Sequence, residues 1–227
     1  MKQTMEINGK KFSVRKFDNI LKRGLCTGVG DRAGQMCIEA VICTVLDLPH
    51  GDDPMCVSPS VRRFKIALND KKWTSPEARA VGLRDLGLAQ LGSLGVVDSK
   101  EFSKRLATKT IRVLIPAMAR DLFSHNTDVL AGALRCEKAG QGKEASEASW
   151  ALRNIFYQIA AYAAYADDAY AVYAAYAAAA YGANADANAY AIQTDKYLLL
   201  SAALALEVLV ELKSPGVALL NKKKRGQ

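Results

Sequence analysis

Histidine is scarce in this chain: 227 residues include only His50 and His125. Imidazole acid–base chemistry is therefore confined to those two positions. No two of the five cysteines (Cys26, Cys37, Cys43, Cys56, Cys136) have CxxC spacing, so no standard zinc pattern is present. Their odd number, in a chain large enough to need no covalent staples, points to reduced thiols and a cytoplasmic setting rather than a disulfide framework. The opening MKQTMEINGKKFSVRKF has no apolar core and no small-residue cleavage site, which argues against a secretory signal. Long hydrophobic runs are missing as well. The longest charge-free stretch, Ala169 to Ala185, is mostly Ala and Tyr and is flanked by Asp167, Asp168 and Asp186. Alanine gains little from hydrocarbon, so no membrane span is expected.

What is present suits a globular protein of one or two domains. Half the residues are apolar and the mean hydropathy is −0.02, enough apolar mass to bury a core. The net charge is +8. It is unevenly placed: residues 61–123 hold thirteen basic and six acidic groups, nearly the whole excess. An electrostatic partner is to be sought there.

The patterning predicts an all-α protein, a helical bundle with one small β-hairpin at the start. Asn8-Gly9, between the short runs 5–7 and 10–12, is the hairpin signal. Helices are expected over residues 17–23, 35–48, 58–69, 74–91, 127–137 and 197–212. Ser58-Pro59 and Thr74-Ser75-Pro76-Glu77 read as starts, and Gly92 as a C-terminal left-handed residue. A longer helix begins at Asp98, with a kink or break at Pro116, whose ring removes a backbone donor. Residues 139–149 (AGQGKEASEAS) read as linker-like. The expected organisation is a hairpin plus helical body over 1–135, a linker-like segment over 136–149, and a C-terminal helical region over 150–227 packed on the body.

Between Ala160 and Ala191, 18 of 32 residues are Ala and seven are Tyr. Tyr162, Tyr165 and Tyr170 recur eleven residues later at Tyr173, Tyr176 and Tyr181. Eleven residues are close to three helical turns, so the rings share one side of a long helix. Tyr162, Tyr165, Tyr173 and Tyr176 are candidates for self-association; packing within the chain, or a tolerant insertion without chemistry, are the other readings.

Four regions are candidates for function. Arg105, Lys109, Arg112 and Arg120 fall on one side of a helical wheel, and Arg62, Arg63 and Lys65, with Lys71 and Lys72, form a second basic cluster. Such stripes suit phosphates, because several cations release condensed counterions together. Aromatic residues are not interleaved for base stacking, and no helix-turn-helix, zinc-finger or RNA-recognition motif is evident. The glycine loop Gly28 to Gly34 precedes a helix, a place where free N–H groups cradle anions. Its spacing is neither dinucleotide nor P-loop, so a structural turn is favoured. Cys37 falls in the first turn of that helix, where the positive helix end would lower its pKa. His50 lies past the far end of the same helix, roughly 20 Å away, which leaves His125 as the base that tertiary packing could supply. His50, Asp52, Asp53 and Cys56, joined by Cys26 or Cys37, are the densest group of metal-ligand types, but their spacing matches no standard zinc pattern and a polar turn is the favoured reading.

The run GLCTGVGDRAGQMCIEAVICTVLDLPHGDDPMCV, continuing into VRRFKIALND and GLRDLGLAQLGS, resembles a family of uncharacterised bacterial and phage open reading frames over about residues 20–123. The resemblance implies a microbial or phage source and a helical body, and transfers no catalytic role. The leading expectation is a non-enzymatic cytosolic binding protein, without cofactor, whose basic face meets nucleic acid or an acidic protein. The alternatives are an enzyme or metal protein centred on Cys37 and the His50–Cys56 loop, and a structural protein that self-associates through its tyrosines.

Overall fold

The computed structural model describes residues 3–140, 142–162 and 195–220. These are mostly helical, with one two-stranded antiparallel sheet at the amino-terminal end. Among them, no helix is long and apolar enough to cross a membrane. The chain divides into two compact units, Met1–Phe102 with Ala205–Gln227, and Ser103–Leu204.

In the first unit, β1 (Thr4–Ile7) pairs with β2 (Lys10–Ser13) in the register Met5–Phe12 and Ile7–Lys10. Asn8 and Gly9 both have left-handed backbones (φ +49° and +74°), the geometry of a two-residue turn whose twist matches the strands. Period-2 alternation then buries Ile7 and Phe12 and exposes Glu6 and Lys11. Ser13 caps α1 (Val14–Leu21) by accepting from Lys16 N. Val14, Phe17 and Leu21, one stripe of that helix, are buried, and Phe17 meets Phe12 with ring centroids 5.6 Å apart.

Three further helices pack into this core: α2 (Ile38–Val45), α3 (Pro59–Asn69) and α4 (Pro76–Ala89). Ser75 caps α4 through its hydroxyl, which accepts from Ala78 N at 3.0 Å. Ser58 precedes α3 but makes no such bond. Its hydroxyl instead lies 3.0 Å from that of Ser99. A single 3₁₀ turn, Pro215–Leu219, docks on α4, where Gly216 N donates to Leu91 O at 2.8 Å and Ser214 Oγ donates to Ala89 O at 2.5 Å.

The expected helix over 35–48 is shorter than its apolar pattern. Backbone bridges of Met36 to Leu25 and Gly30 hold that segment extended, so α2 starts only at Ile38 and Cys37 becomes its N-cap. Gly92 is left-handed as expected (φ +71°).

α5 (Ser99–Lys109) and α9 (Asp195–Glu211) each contribute residues to both units. Between α5 and α6 (Ile115–Leu122) the backbone makes one π-helical turn, Thr110–Leu114. The distortion expected at Pro116 thus takes the form of a π-turn immediately before it, which absorbs the missing donor without ending the rod. Asn126 caps α7 (Thr127–Lys138) by accepting from Val129 N at 3.0 Å. α8 (Lys143–Tyr162) begins inside the stretch read as linker-like, which corrects that reading from Lys143 onward. Ala, Glu and Ser there serve as helix formers, supported by Lys143 and Glu147 one turn apart. The core of the second unit is Ile115, Ala119, Val129, Ala133, Cys136 and Leu152. The tyrosine repeat lies outside the described residues except for the backbone of Tyr162, as does the basic tail 222–225.

Asp121, on α6, pairs with Lys196 and accepts from the Tyr197 hydroxyl at 2.6 Å. The Lys196 ammonium, and then the Tyr197 hydroxyl, hold this carboxyl below its ordinary value of 3.8. A depressed carboxyl stabilises the fold above its unfolded value, and that stabilisation disappears as pH falls through the folded value. The pair is largely solvent-exposed, so Asp121→Asn should lower stability by at most about 1 kcal/mol at pH 7. In denaturant melts the difference should vanish in acid; an equal loss at both pH values would contradict this account.

Candidate functional site

The glycine loop is occupied by its own chain. Gly28 N donates to the Asp70 carboxylate at 2.9 Å, Ala33 N to that of Asp31 at 3.1 Å, and Gly34 N to Asp31 O at 3.1 Å. Cys37 N donates to Val29 O at 3.2 Å. An internal carboxylate sits where a phosphate would be expected, which accords with a structural turn.

A cleft of ≈ 50 Å³ lies between this loop and α3, lined by Cys37, Glu39, Asp52, Asn69 and Asp70 among others. Cys37 belongs to it, but as a buried cap whose sulfur accepts from Ala40 N at 3.4 Å. Burial pushes the thiol up to about 11, with the neighbouring Glu39 adding to the effect. This corrects the expected lowering: the backbone N–H groups of Ala40 and Glu39 at the helix end do favour the thiolate, but burial outweighs them. His125 is exposed and belongs to the other unit.

His50 is closer to the loop than a straight helix implied, because α2 is short and the chain doubles back. Its Nε2 lies 3.0 Å from Gly30 O, which can only accept. Asp53 accepts from Met55 N at 3.0 Å and pairs with Arg62 at 2.6 Å. Cys56 is buried, and Cys26 donates to Gln35 O at 3.3 Å. Among the described residues no group of three His, Cys, Asp or Glu side chains is placed to hold a metal ion. The candidate ligands His50, Asp52, Asp53 and Cys56 form no such group: His50 bonds Gly30 and Asp53 bonds Met55 N and Arg62.

The basic residues are also redistributed. Lys65, expected on an exposed face, is fully buried and sits 3.0 Å from the equally buried carboxylate of Glu39. Gln90 Nε2 donates to the other Glu39 oxygen at 2.9 Å. Desolvation dominates both groups, raising Glu39 and lowering Lys65. This network ties α2, α3 and the end of α4 together. The spacing held a signal for it: Val61, Lys65 and Leu68 fall on one buried stripe of α3, and Glu39 interrupts an apolar run. Arg63 is exposed on α3.

In the second unit, Arg112 and Arg120 do converge. Arg120 holds the Glu137 carboxylate with both terminal nitrogens, one of them at 2.6 Å, and Arg112 Nε donates to Glu137 O at 3.2 Å. The Arg120 guanidinium keeps the Glu137 carboxyl below its ordinary value. Both arginines are exposed, and so is Lys138 beside them. Glu137 thus meets Arg120 through its carboxylate and Arg112 through its backbone carbonyl, with Lys138 acting on the carboxylate as a second cation. Arg105 and Lys109 are half-buried on α5.

Charge patterning alone missed Trp150. This residue, on α8, is 56% exposed, and the Arg153 guanidinium lies 5.0 Å from its ring centroid. The only sequence-level signal was a tryptophan within a polar stretch. Comparison with family models, with curated proteins and with solved structures yields no match.

Proposed function

We propose that the protein is a non-enzymatic binding protein whose partner is nucleic acid, held through the second unit. The observation that carries this reading is the convergence of exposed Arg112 and Arg120 on Glu137, with Lys138 alongside. Residues 103–162 hold nine basic and five acidic groups, so the surplus there is cationic. An exposed ion pair such as Arg120–Glu137 contributes only about 0–1 kcal/mol. It orients the guanidinium and is readily exchanged for a phosphate, which accepts the same two-pronged donation. The enzymatic alternative draws less support, since Cys37 is a buried cap with an elevated pKa.

Anisotropy of labelled oligonucleotides, single-stranded and duplex, measured across a salt series, tests the proposal. Affinity should fall steeply with salt. Arg112→Gln with Arg120→Gln should weaken binding and flatten the slope by about 0.7–0.9 for each phosphate no longer neutralised. Absence of binding at low salt, or binding indifferent to salt and to the double variant, would overturn it. Capture of polyglutamate with no affinity for oligonucleotide would move the partner to an acidic protein.

A further inference from the structure

We infer that Asn8 is a modification site: its side-chain amide is lost through attack by the Gly9 nitrogen, and the closed hairpin is what holds that reaction back. Asn8 is the one asparagine in the sequence that glycine follows. Gly9 has no side chain to crowd its nitrogen, and nothing lies within 4 Å of where a Cβ would stand. Both residues are exposed, so water reaches them. In the reaction the Gly9 nitrogen bonds to Asn8 Cγ and the Cγ–Nδ2 bond breaks. The Gly9 amide proton passes to the departing nitrogen, which leaves as ammonia, and a cyclic imide remains. Water then opens the ring. Cleavage at Cγ gives aspartate; cleavage at the main-chain carbonyl gives isoaspartate, whose backbone runs through Cβ and Cγ and is one carbon longer. Nothing is oxidised or reduced, and water is the sole co-reactant.

Ring closure needs Asn8 Cβ and Gly9 N on the same side of the Asn8 Cα–C bond. The closed hairpin forbids that. Left-handed φ at both residues, +49° and +74°, identifies the mirror-image turn whose first central residue has ψ of about +30°. In an L-residue this ψ sets the following nitrogen nearly opposite Cβ. Asn8 Nδ2 also donates weakly to Met55 O at 3.4 Å, which draws the amide toward another loop. Reaction therefore waits for the hairpin to open, and its rate is scaled by the open population. The two products then differ. Asp-Gly is itself a preferred sequence for this turn, so aspartate lets the hairpin reclose. The longer backbone of isoaspartate does not fit a two-residue turn, and it spoils the register that buries Ile7 and Phe12. A reversible opening is thereby made permanent.

Mass spectrometry of the full chain tests this. It is incubated in mildly alkaline buffer, either folded in sodium chloride or unfolded in guanidinium chloride of equal concentration. The peptide carrying Asn8 is followed, with chromatographic separation of the two acidic isomers. In the unfolded chain it should convert faster than the peptides of Asn19, Asn69 and Asn126, which bulkier residues follow. In the folded chain its conversion should be at least about tenfold slower, the factor set by an opening free energy of about 1.4 kcal/mol. Equal rates in the two states would overturn the gating, and no preference for Asn8 in the unfolded chain would overturn the site. Neither comparison needs a variant. Asn8→Asp, which makes the aspartate product directly, should melt with wild type. Chain aged in guanidinium until Asn8 is consumed, then refolded, should melt below chain refolded without ageing. Identical melting of those two samples would overturn the permanence assigned to isoaspartate.

Discussion

Glu39→Gln should destabilise the protein by about 3–5 kcal/mol, and Lys65→Met by a similar amount, because each strands the other member of a fully buried pair. The two losses should not add. Glu39→Gln with Lys65→Met leaves no buried charge and keeps a partner for Gln90, whose amide donates to position 39 at 2.9 Å. The double variant should therefore lie within about 1–3 kcal/mol of wild type, the penalty of an imperfectly satisfied buried amide. A double-mutant cycle in urea measures the difference, and additive losses would refute the account.

The pH dependence gives the two single variants opposite signatures. Burial raises Glu39 and lowers Lys65. In wild type, passing the proton between the two leaves the total unchanged, so the pair contributes little slope near neutrality. In Glu39→Gln, the lone Lys65 is lowered further by the loss of its counter-charge. Below its ordinary value of 10.5, the unfolded chain then binds more protons than the folded one. Stability must rise with pH, by up to about 1.4 kcal/mol per unit. In Lys65→Met, the lone Glu39 is raised. Above its ordinary value of 4.5 the folded chain holds more protons, so stability must fall as pH rises. The groups facing the pair, Arg62 toward Glu39 and Cys37 and Cys56 toward Lys65, are too weakly coupled to reverse either sign. Parallel slopes in the two variants would rule the mechanism out.

Gly216→Ala should be the other severe change, at about 3 kcal/mol or more. A Cβ at this position would overlap the Leu88 carbonyl oxygen and stand 2.9 Å from Leu91 N and 3.0 Å from the Ala89 carbonyl carbon. All three are backbone atoms at the end of α4, which cannot turn aside as a side chain can. Relief requires lifting the 3₁₀ turn, which lengthens the Gly216 N–Leu91 O bond and exposes the buried Ser214 hydroxyl and its carbonyl partner. Overpacking of about 1–3 kcal/mol and an unsatisfied buried group of similar size then act together. Gly51→Ala is the control: nothing lies within 4 Å of a Cβ there and the backbone is not left-handed, so the change should stay within about 0.5 kcal/mol. Comparable thermal shifts for the two variants would show that the turn does not hold α4 as described.

Several local features were legible in the sequence because their signals act over a few residues, although Ser58 makes no cap bond and residues from Lys143 onward are helical. Asn8-Gly9 selects a turn through backbone sterics, Ser75 caps a helix through one hydroxyl, and Pro116 removes one donor; each acts within a few residues. The helical character of most of the chain follows from apolar spacing of the same range. The limits of α2 were not legible, because Met36 is held extended by Leu25 and Gly30, partners six or more residues away.

Site chemistry depended still more on tertiary packing. Formal charge is a property of composition, but its exposure is not: Lys65 reads as one cation among several in VRRFKIAL, and only packing against Glu39 makes it internal. Arg112 and Arg120 are two turns apart on a wheel, yet what joins them is Glu137 from another helix. Cys37 stands at a helix start in both views, and burial rather than the helix end sets the direction in which its thiol is shifted. Composition and spacing by themselves determined a mostly helical chain with an amino-terminal hairpin and a cationic middle. Which charges face water, and which thiols are buried, was decided by the fold, since desolvation energies depend on neighbours that the linear order does not place together.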